Sequence, residues 1–260
     1  MTINAKLYTN LHNTWVKYAI IMKQYTSIII PVFNETAVIP QTLGDLAESF
    51  QEIRLEVIVV DGNPSGNTIT AIEPLSCSNN FILKRIISKK SGRAVQMNAG
   101  AKLAQGKMVS FLHADTILSK QAVGRMLQLL DDPSFACGAF SLGIQHPHKA
   151  YRFIETVANL RTRITRLPYG DQAQFFRKDY FDSLGGFADI PLMEDVEIMQ
   201  RVKKREDRCR ILPEKVFTSA RRWEKEGILY CTLRNWTLIT LYSLGVSPRR
   251  LATYYGRHNN

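Results

Sequence analysis

The chain has 260 residues, 45% of them hydrophobic, which is enough for one large domain or two small ones. Its four cysteines lack C-x-x-C spacing, so we expect neither a zinc site nor a disulfide framework, and this usage suits a cytoplasmic protein. The net charge is +11, and residues 201–260 hold 14 Lys and Arg against 5 Asp and Glu. This basic end suggests an anionic partner or a solvated surface, but no RNP-type or zinc-finger pattern supports nucleic acid.

The N-terminal end contains no recognisable element. The first 21 residues lack the continuous apolar segment of a signal peptide, and none of them matches a strand or a motif. We expect residues 1–25 to be an extension, with Met22 as the natural start, residues 26–225 to form one compact domain, and residues 226–260 to be a helical appendage. No internal repeat, low-complexity tract or Pro/Ser-rich linker divides the chain further.

Strand-like apolar runs alternate with helix-like segments in the first half of the chain. The predicted strands are SIIIPVF (27–33), LEVIVVD (55–61), FILKRIIS (81–88) and KMVSFLH (107–113). Helices are predicted at 36–50, shortly after the turn GNPSGNT (62–68), in GRAVQMNAGAKLAQG (92–106) and at 120–130. This alternation is typical of β-α-β units, so we predict an α/β fold with a Rossmann-like, mainly parallel central sheet and flanking helices.

Polar or charged side chains follow each predicted strand. They lie in Phe33-Asn34-Glu35, Asp61-Gly62, Ser91-Gly92-Arg93 and His113-Ala114-Asp115. Because ligands of such sheets bind beyond the carboxyl ends of the strands, we expect these groups to converge on one cleft. A turn leading into the next helix is the alternative role for Asp115. The chain has no G-x-G-x-x-G after its first strand and no G-x-x-x-x-G-K-[ST], which disfavours a dinucleotide-binding dehydrogenase and a P-loop phosphotransferase.

Five segments follow one another in an order and at a spacing that are known from one enzyme family. They are SIIIPVFNE, EVIVVDGNPSGNT, GRAVQMNAG, FLHAD and MEDVEI. Together they resemble the family 2 glycosyltransferases, which have the GT-A fold, and within them a small bacterial branch. The resemblance covers roughly residues 26–225. It implies an inverting enzyme that moves a sugar from a nucleoside diphosphate sugar, of the UDP type, to an acceptor that the sequence does not identify.

The resemblance also implies a divalent metal ion, Mg²⁺ or Mn²⁺, which neutralises the leaving diphosphate. The family normally has an Asp-x-Asp motif after the fourth strand, and here His113 replaces the first Asp. The resemblance assigns the metal to Asp115, which keeps the final position of the motif. His113 would contact the donor by hydrogen bonding or would itself be a metal ligand, and the second role would favour Mn²⁺.

The other strand-end residues are assigned to the donor by the same resemblance. Pro31, Phe33 and Glu35 would line the nucleotide pocket. Asp61 would accept the N3–H of a uracil-type base, with a turn role as the alternative. Arg93 would reach the base or the diphosphate, and a purely structural role is disfavoured because an unpaired cation at a helix start is mildly unfavourable.

The downstream half is expected to bind the acceptor. The segment LPYGDQAQFFRKDYFDSLGGF resembles the family region in which a Gly-Asp-Gln turn lies near the acceptor, so Asp171 and Gln172 are the predicted contacts. Gly185 and Gly186, in the same segment, are predicted to form a turn.

The segment PLMEDVEIMQRV predicts a helix with Val196, Met199 and Val202 as its apolar stripe and with Glu194 and Asp195 at its start. Such an acidic pair could simply cap the helix. Alternatively it supplies a general base, because a positioned carboxylate can take the proton of an acceptor hydroxyl as the bond to the sugar forms. The resemblance gives that role to the aspartate of the pair, so Asp195 is the predicted catalytic base.

The basic C-terminal region carries two further candidates, Arg222 and Trp223, which lie where processive relatives have Gln-x-x-Arg-Trp, although Ser219 replaces the Gln. They would bind the diphosphate or the acceptor. The segment after residue 226 is apolar and aromatic but has no run of about twenty apolar residues, so a spanning helix is not expected. It either packs on the domain or lies on an anionic membrane, at the inner face of the cell membrane, where it would bring a lipid-like acceptor to the cleft.

Two other functions fit parts of the sequence. A non-catalytic protein that binds nucleotide sugars or a membrane surface is an alternative, because the first Asp of the metal motif is replaced. A nucleotidyltransferase is a weaker alternative, because PVFNETAV lacks the Gly-rich, Arg/Lys-bearing signature that such an enzyme needs after its first strand. Glycosyl transfer is the leading hypothesis.

Overall fold

The computed structural model describes residues 26–50, 54–75, 81–207 and 209–255. The expected extension, residues 1–25 with Met22, lies outside these ranges. The strands are β1 (Thr26–Val32), β2 (Leu55–Asp61), β3 (Phe81–Ile87), β4 (Met108–Phe111), β5 (Thr116–Ile117), β6 (Cys137–Gln145), β7 (Phe175–Arg177) and β8 (Cys209–Ser219). The α-helices are α1 (Ile39–Ser49), α2 (Asn67–Ile72), α3 (Arg93–Leu103), α4 (Lys120–Gln128), α5 (Lys149–Thr165), α6 (Lys178–Ser183), α7 (Glu194–Lys204), α8 (Arg221–Glu226), α9 (Ile228–Ser243) and α10 (Pro248–Tyr255).

The strands of the described residues form one sheet, in the order β3-β2-β1-β4-β7-β6-β8-β5. β1 pairs in parallel with β2 and β4, and β2 pairs in parallel with β3. β7 runs antiparallel between β4 and β6, and β5 runs antiparallel to β8. The predicted α/β fold is therefore confirmed, and its parallel half brings the carboxyl ends of β1, β2 and β4 to one edge of the sheet.

Both faces of β1 are buried, which explains why its sequence is an unbroken apolar run rather than an alternating one. Ile28 and Ile30 pack into the hydrophobic cluster on one face, and Ile29 packs into the cluster on the other. On the second face α3 lies close to the strand, since a Cβ added to Gly100 would come within 2.6 Å of Ile29 Cγ2. This close packing sets the position of the start of α3 relative to the carboxyl ends of the strands.

Helix α1 begins later than the sequence predicted, at Ile39 rather than at residue 36. The carbonyl of Glu35 accepts turn bonds from the N–H groups of Val38 (3.2 Å) and Ile39 (3.1 Å). Pro40 follows in the first turn of the helix, a position where its missing N–H is not needed. The residues between β1 and α1 therefore form a turn at the edge of the sheet, where ligands bind.

A turn at Gly185 and Gly186 joins the middle of the sheet to α7 and confirms the prediction. The two glycines have φ angles of 78° and 74°, a region that side chains with a Cβ rarely adopt. A Cβ on Gly186 would also lie 2.6 Å from Asn98 Oδ1. Asn98 in α3 accepts a hydrogen bond from Phe187 N–H (2.9 Å) and donates one to Phe187 O (2.8 Å), so the turn is fixed to the helix that lies behind the cleft.

The last two helices cover the start of α7. Leu238 in α9 and Leu251 in α10 pack with Met193 and Val196. The predicted stripe of α7 is confirmed, because Val196, Met199 and Val202 are all buried. Within the described residues, none of the helices has both the length and the apolar character that crossing a membrane requires.

Candidate active site

Arg93 brings together residues from three parts of the chain. It is the first residue of α3, and its guanidinium contacts Nε2 of His113, which follows β4. Its Nε lies 3.3 Å from Oε1 of Glu194, the first residue of α7. A Cβ added to Gly170 would lie 2.5 Å from the same guanidinium and 3.0 Å from Asp195 Oδ2. The convergence predicted for the strand ends is therefore observed for Arg93 and His113, and the acidic pair at the start of α7 lies beside them.

His113 is a neutral imidazole in this setting. Burial lowers its pKa well below the usual value, and the nearby charge of Arg93 lowers it further. A neutral ring has one acceptor nitrogen, and a guanidinium has only donors, so Nε2 accepts from Arg93 and Nδ1 carries the proton. The acceptor nitrogen of His113 is thus already engaged by a protein group.

Arg221 forms a second cluster with two strand-end carboxylates. Its Nε lies 3.0 Å from Oδ2 of Asp115, and its terminal nitrogens lie 2.7 and 2.9 Å from the two oxygens of Glu35. The antiparallel pairing of β5 with β8 places Arg221, two residues past β8, beside Asp115. Burial raises the pKa of Asp115, while the charge of Arg221 opposes that rise. Hydrogen bonds to Glu35 raise the pKa of Arg221, so its cationic form is favoured.

Asp61 holds the loop that follows β2. Its two carboxylate oxygens accept hydrogen bonds from the N–H groups of Asn63 (2.8 Å) and Thr68 (3.1 Å), and the residue is fully buried. Asn63 and Asn67 both donate to Asn34 Oδ1 at 2.7 Å, which connects this loop to the end of β1. These contacts support the turn role of Asp61, and its contact with a base stays a prediction.

Pro31 and Phe33 lie at the carboxyl end of β1, and their place in a nucleotide pocket stays a prediction. Phe33 is 37% exposed and Pro31 is partly buried. Gln96, which the sequence did not single out, donates to Val32 O (2.8 Å) and Val60 O (2.7 Å) and so joins α3 to two strands at once. A buried glutamine in a helix has no distinctive sequence signal, which is why this tether was missed.

Asp195 and Glu194 have different surroundings although they are adjacent. Glu194 is buried, beside Arg93, and burial raises its pKa. Asp195 is partly exposed, and its Oδ2 accepts from Gly170 N–H at 2.6 Å while its Oδ1 accepts from Val196 N–H at 2.9 Å. The carboxylate of Asp195 is therefore fixed in direction and still open to solvent, as a base that meets an acceptor must be.

The two predicted acceptor contacts in the Gly-Asp-Gln turn, Asp171 and Gln172, have different surroundings. Gln172 is fully buried: its Oε1 accepts from Thr162 Oγ1 (2.8 Å) and its Nε2 donates to Phe140 O (3.0 Å). We therefore assign Gln172 a positioning role for the turn. Burial raises the pKa of Asp171, the charge of Arg161 opposes that rise, and the charge of Asp195 adds to it. Asp171 directly follows Gly170, whose N–H bonds Asp195.

Arg222 and Trp223 point into different surroundings. Arg222 contacts the hydroxyl of Tyr255 in α10 and lies 5.0 Å from the centre of that ring. Trp223 packs edge-on against Tyr151 of α5, with 6.0 Å between the ring centres. The indole of Trp223 therefore belongs to the packing of α5, and a binding role of Arg222 stays a prediction.

The arrangement does not match a preformed site for a divalent cation. Mg²⁺ and Mn²⁺ prefer several oxygen ligands. Within the described residues, no group of three or more His, Cys, Asp or Glu side chains could hold a metal ion. Arg221 lies against Asp115, and Arg93 lies against the acceptor nitrogen of His113. The metal role of Asp115 stays a prediction. Arg221, which the sequence offered beside Arg222 and Trp223, is the residue that lies against it.

The sequence matches the family model of glycosyl transferase family 2 over residues 27–188. Among curated proteins, the probable glycosyltransferase YdaM of Bacillus subtilis is 27% identical over 231 residues, which cover 77% of this chain and 50% of that protein. The undecaprenyl-phosphate 4-deoxy-4-formamido-L-arabinose transferase of Proteus mirabilis is 23% identical over 164 residues, 61% of this chain and 50% of that protein. The chain thus spans about half the length of these relatives.

Among solved structures, the mannosyltransferase PcManGT of Pyrobaculum calidifontis, in complex with GDP-Man and Mn²⁺, is similar with a TM-score of 0.63 at 20% identity. The likeness covers 80% of this chain and 59% of that one. At this identity it shows the fold, and it confirms the predicted GT-A architecture. The family match extends over more than half of this sequence. The chain belongs to glycosyl transferase family 2.

Proposed function

We propose that the protein is an inverting glycosyltransferase that moves a sugar from a nucleoside diphosphate sugar to a lipid-like acceptor at an anionic membrane surface. The observation that carries the proposal is the convergence of Arg93, His113 and Asp195 at the carboxyl edge of the sheet in a chain of this family. This edge is where α/β sheets bind ligands, and it presents both a cationic and an anionic group.

The cationic side of the cleft suits the donor. Arg93 and Arg221 offer planar guanidinium groups, which match the oxygens of a diphosphate. Phe33, exposed at the end of β1, offers an aromatic face to a base. Because Asp61 is buried and already bonded, base selection would rest on more exposed groups. UDP sugars, which the resemblance implies, are the first donors to test, and GDP sugars are the second.

The anionic side suits the acceptor. An acceptor hydroxyl is a poor nucleophile near neutral pH, and Asp195 would take its proton as the new bond forms. Attack from the face opposite the leaving diphosphate inverts the anomeric centre in a single displacement. The bond from Gly170 N–H to Asp195 holds the carboxylate toward the turn that carries Asp171.

An exposed face of α5 supports a membrane-bound acceptor. Three large apolar side chains at helical spacing face solvent, Phe153 (67% exposed), Leu160 (57%) and Ile164 (72%). The exposed basic residues of the same region are Lys149, Arg152, Arg163 and Arg166. The acidic residue of the helix, Glu155, is buried. Apolar side chains rimmed by positive charge are complementary to the head groups and outer acyl region of an anionic bilayer.

Helix α9 adds a second exposed apolar row, in the segment where the sequence predicted either packing or membrane contact. Leu229 (73% exposed), Leu233 (50%) and Trp236 (52%) face solvent, while Leu238 is buried. One side of the helix therefore packs on α7, and the other side is open and available to a membrane surface. The Proteus mirabilis relative is named for an undecaprenyl-phosphate, which is a lipid phosphate, and this supports an acceptor of the same chemical class.

The catalytic proposal is tested by measuring nucleoside diphosphate release from UDP sugars and GDP sugars with polyprenyl phosphate in anionic vesicles. We expect release with at least one donor, accompanied by a glycosylated lipid, and its loss in Asp195→Asn but not in Asp189→Asn, an exposed aspartate in the loop before α7. Donor binding without release in any condition would favour the non-catalytic binding protein instead.

The membrane proposal is tested by sedimentation with vesicles of neutral and of anionic lipid. We expect binding to anionic vesicles that weakens in high salt, because screening reduces the charge attraction. The double variant Phe153→Ser, Ile164→Ser should bind several-fold less, whereas Leu103→Ser, a half-exposed leucine of α3, should bind like the wild type. Equal binding by the double variant, or a dimer that covers α5 in solution, would show that this face has another role.

A further inference from the structure

We propose that Arg221 supplies the positive charge that a divalent cation would supply, so that this protein binds the donor diphosphate without a metal ion. The inference rests on the proposed function, since it concerns the diphosphate of the donor. Its starting observation is that the guanidinium of Arg221 lies against the carboxylate of Asp115, the predicted metal ligand, with Nε 3.0 Å from Oδ2.

Arg221 is held in a way that leaves donors for a ligand. Its Nε–H points to Asp115, and each terminal nitrogen bonds one oxygen of Glu35, at 2.7 and 2.9 Å. A guanidinium has five N–H donors, so two of them remain for phosphate oxygens. When Glu35 releases the terminal nitrogens, their fork matches a phosphate bidentately, which a point charge does not.

His113, which replaces the first Asp of the metal motif, removes a negative charge from the site. An aspartate at position 113 would add a second carboxylate beside Asp115, whereas His113 adds none. Its acceptor nitrogen is engaged by Arg93. The site therefore lacks one anion that would attract a cation and repel a diphosphate. A motif with His at its first position fits neutralisation by arginine better than coordination of Mg²⁺.

The surrounding charges allow an exchange of partners. Two guanidinium groups lie at this end of the cleft, Arg93 against His113 and Arg221 against Asp115. The carboxylates that balance them are Asp115, Glu35 and Glu194. The side chain of Glu35 is 21% exposed and can turn to water, while Asp115 keeps its bond to Nε. The terminal nitrogens of Arg221 then turn from Glu35 to the phosphate oxygens.

Binding of UDP and of GDP to the full chain, measured by calorimetry in chelator and again with Mn²⁺, tests this inference. We expect the better of the two ligands to bind the wild type in chelator with an affinity within about threefold of that in Mn²⁺. Arg221→Gln should weaken binding in chelator at least tenfold, and Arg221→Lys should weaken it less, because lysine keeps the charge but not the fork. Arg205→Gln, which removes an exposed arginine that bonds Ser183 on another face, is the matched control and should bind normally.

Two results would overturn the inference while leaving the proposed function in place. One is wild-type binding that requires Mn²⁺, and the other is unchanged binding by a folded Arg221→Gln variant in chelator. If Arg221→Gln does not fold, as judged by its thermal unfolding, normal affinity of the Arg221→Lys variant in chelator would count against the bidentate role. Absence of binding by either nucleotide in both conditions would contradict the proposed function itself and this inference with it.

Discussion

Replacing Asp195 by Asn separates the chemical role of this side chain from its structural role. The carboxylate accepts two backbone hydrogen bonds, from Gly170 N–H at 2.6 Å and from Val196 N–H at 2.9 Å. An asparagine has one acceptor oxygen, so it keeps one of these bonds and turns an NH₂ group toward the other donor. We expect the loss of one such bond to lower the free energy of unfolding by about 1 kcal/mol, which leaves the protein folded.

The effect of Asp195→Asn on turnover should be much larger. An amide cannot take a proton, and general-base catalysis contributes on the order of a hundredfold or more, which corresponds to about 2.7 kcal/mol of barrier. Donor affinity should stay close to that of the wild type, because the proposed partner of Asp195 is the acceptor. Initial rates of nucleoside diphosphate release at saturating acceptor measure this. If Asp195→Asn keeps full turnover while Glu194→Gln loses it with donor affinity unchanged, the assignment of the base is reversed.

Three further predictions concern the frame of the cleft. Gly170→Ala should lower turnover more than tenfold at a normal melting temperature, because its Cβ would displace the Arg93 guanidinium, 2.5 Å away. Gly186→Ala should lower the free energy of unfolding by about 1–3 kcal/mol, since φ is 74° and the new Cβ meets Asn98; denaturant titration measures it. Burial holds the pKa of His113 below its unfolded value of about 6.5, so the unfolded chain takes up a proton first as pH falls. Below pH 6.5 the free energy of unfolding should therefore drop by up to about 1.4 kcal/mol per pH unit. The wild type should therefore lose more stability between pH 7 and pH 5 than His113→Gln, and equal losses in thermal melts would contradict the neutral, buried imidazole.

The parallel half of the fold was predictable because its signals are local. β2 spans residues 55–61 as predicted, since a buried strand in a parallel sheet is a continuous apolar run that ends at a polar turn. β7 was not predicted, because three residues, Phe175–Arg177, carry no periodicity of their own. Its antiparallel place between β4 and β6 is set by long-range pairing, which a local pattern does not encode.

The site was predictable where strand ends define it and unpredictable where a distant side chain enters. Arg93 and His113 meet because each follows an element of the same sheet. Arg221 is separated from Glu35 by 186 positions and reaches it only because β8 pairs with β5. Gln172 was predicted as an acceptor contact from its place in a turn, but the sequence gives no sign that its amide is fully buried. Partner choice for a polar side chain is a tertiary property.

The central claim, inverting transfer from a nucleoside diphosphate sugar, is tested most directly by the anomeric configuration of the product. The wild type would be incubated with a UDP or GDP sugar of known configuration and polyprenyl phosphate in anionic vesicles, and the glycosylated lipid would be analysed by NMR. We predict a product whose anomeric configuration is opposite to that of the donor. A product with the donor's configuration would contradict single displacement assisted by Asp195, and donor binding without any product would contradict transfer itself.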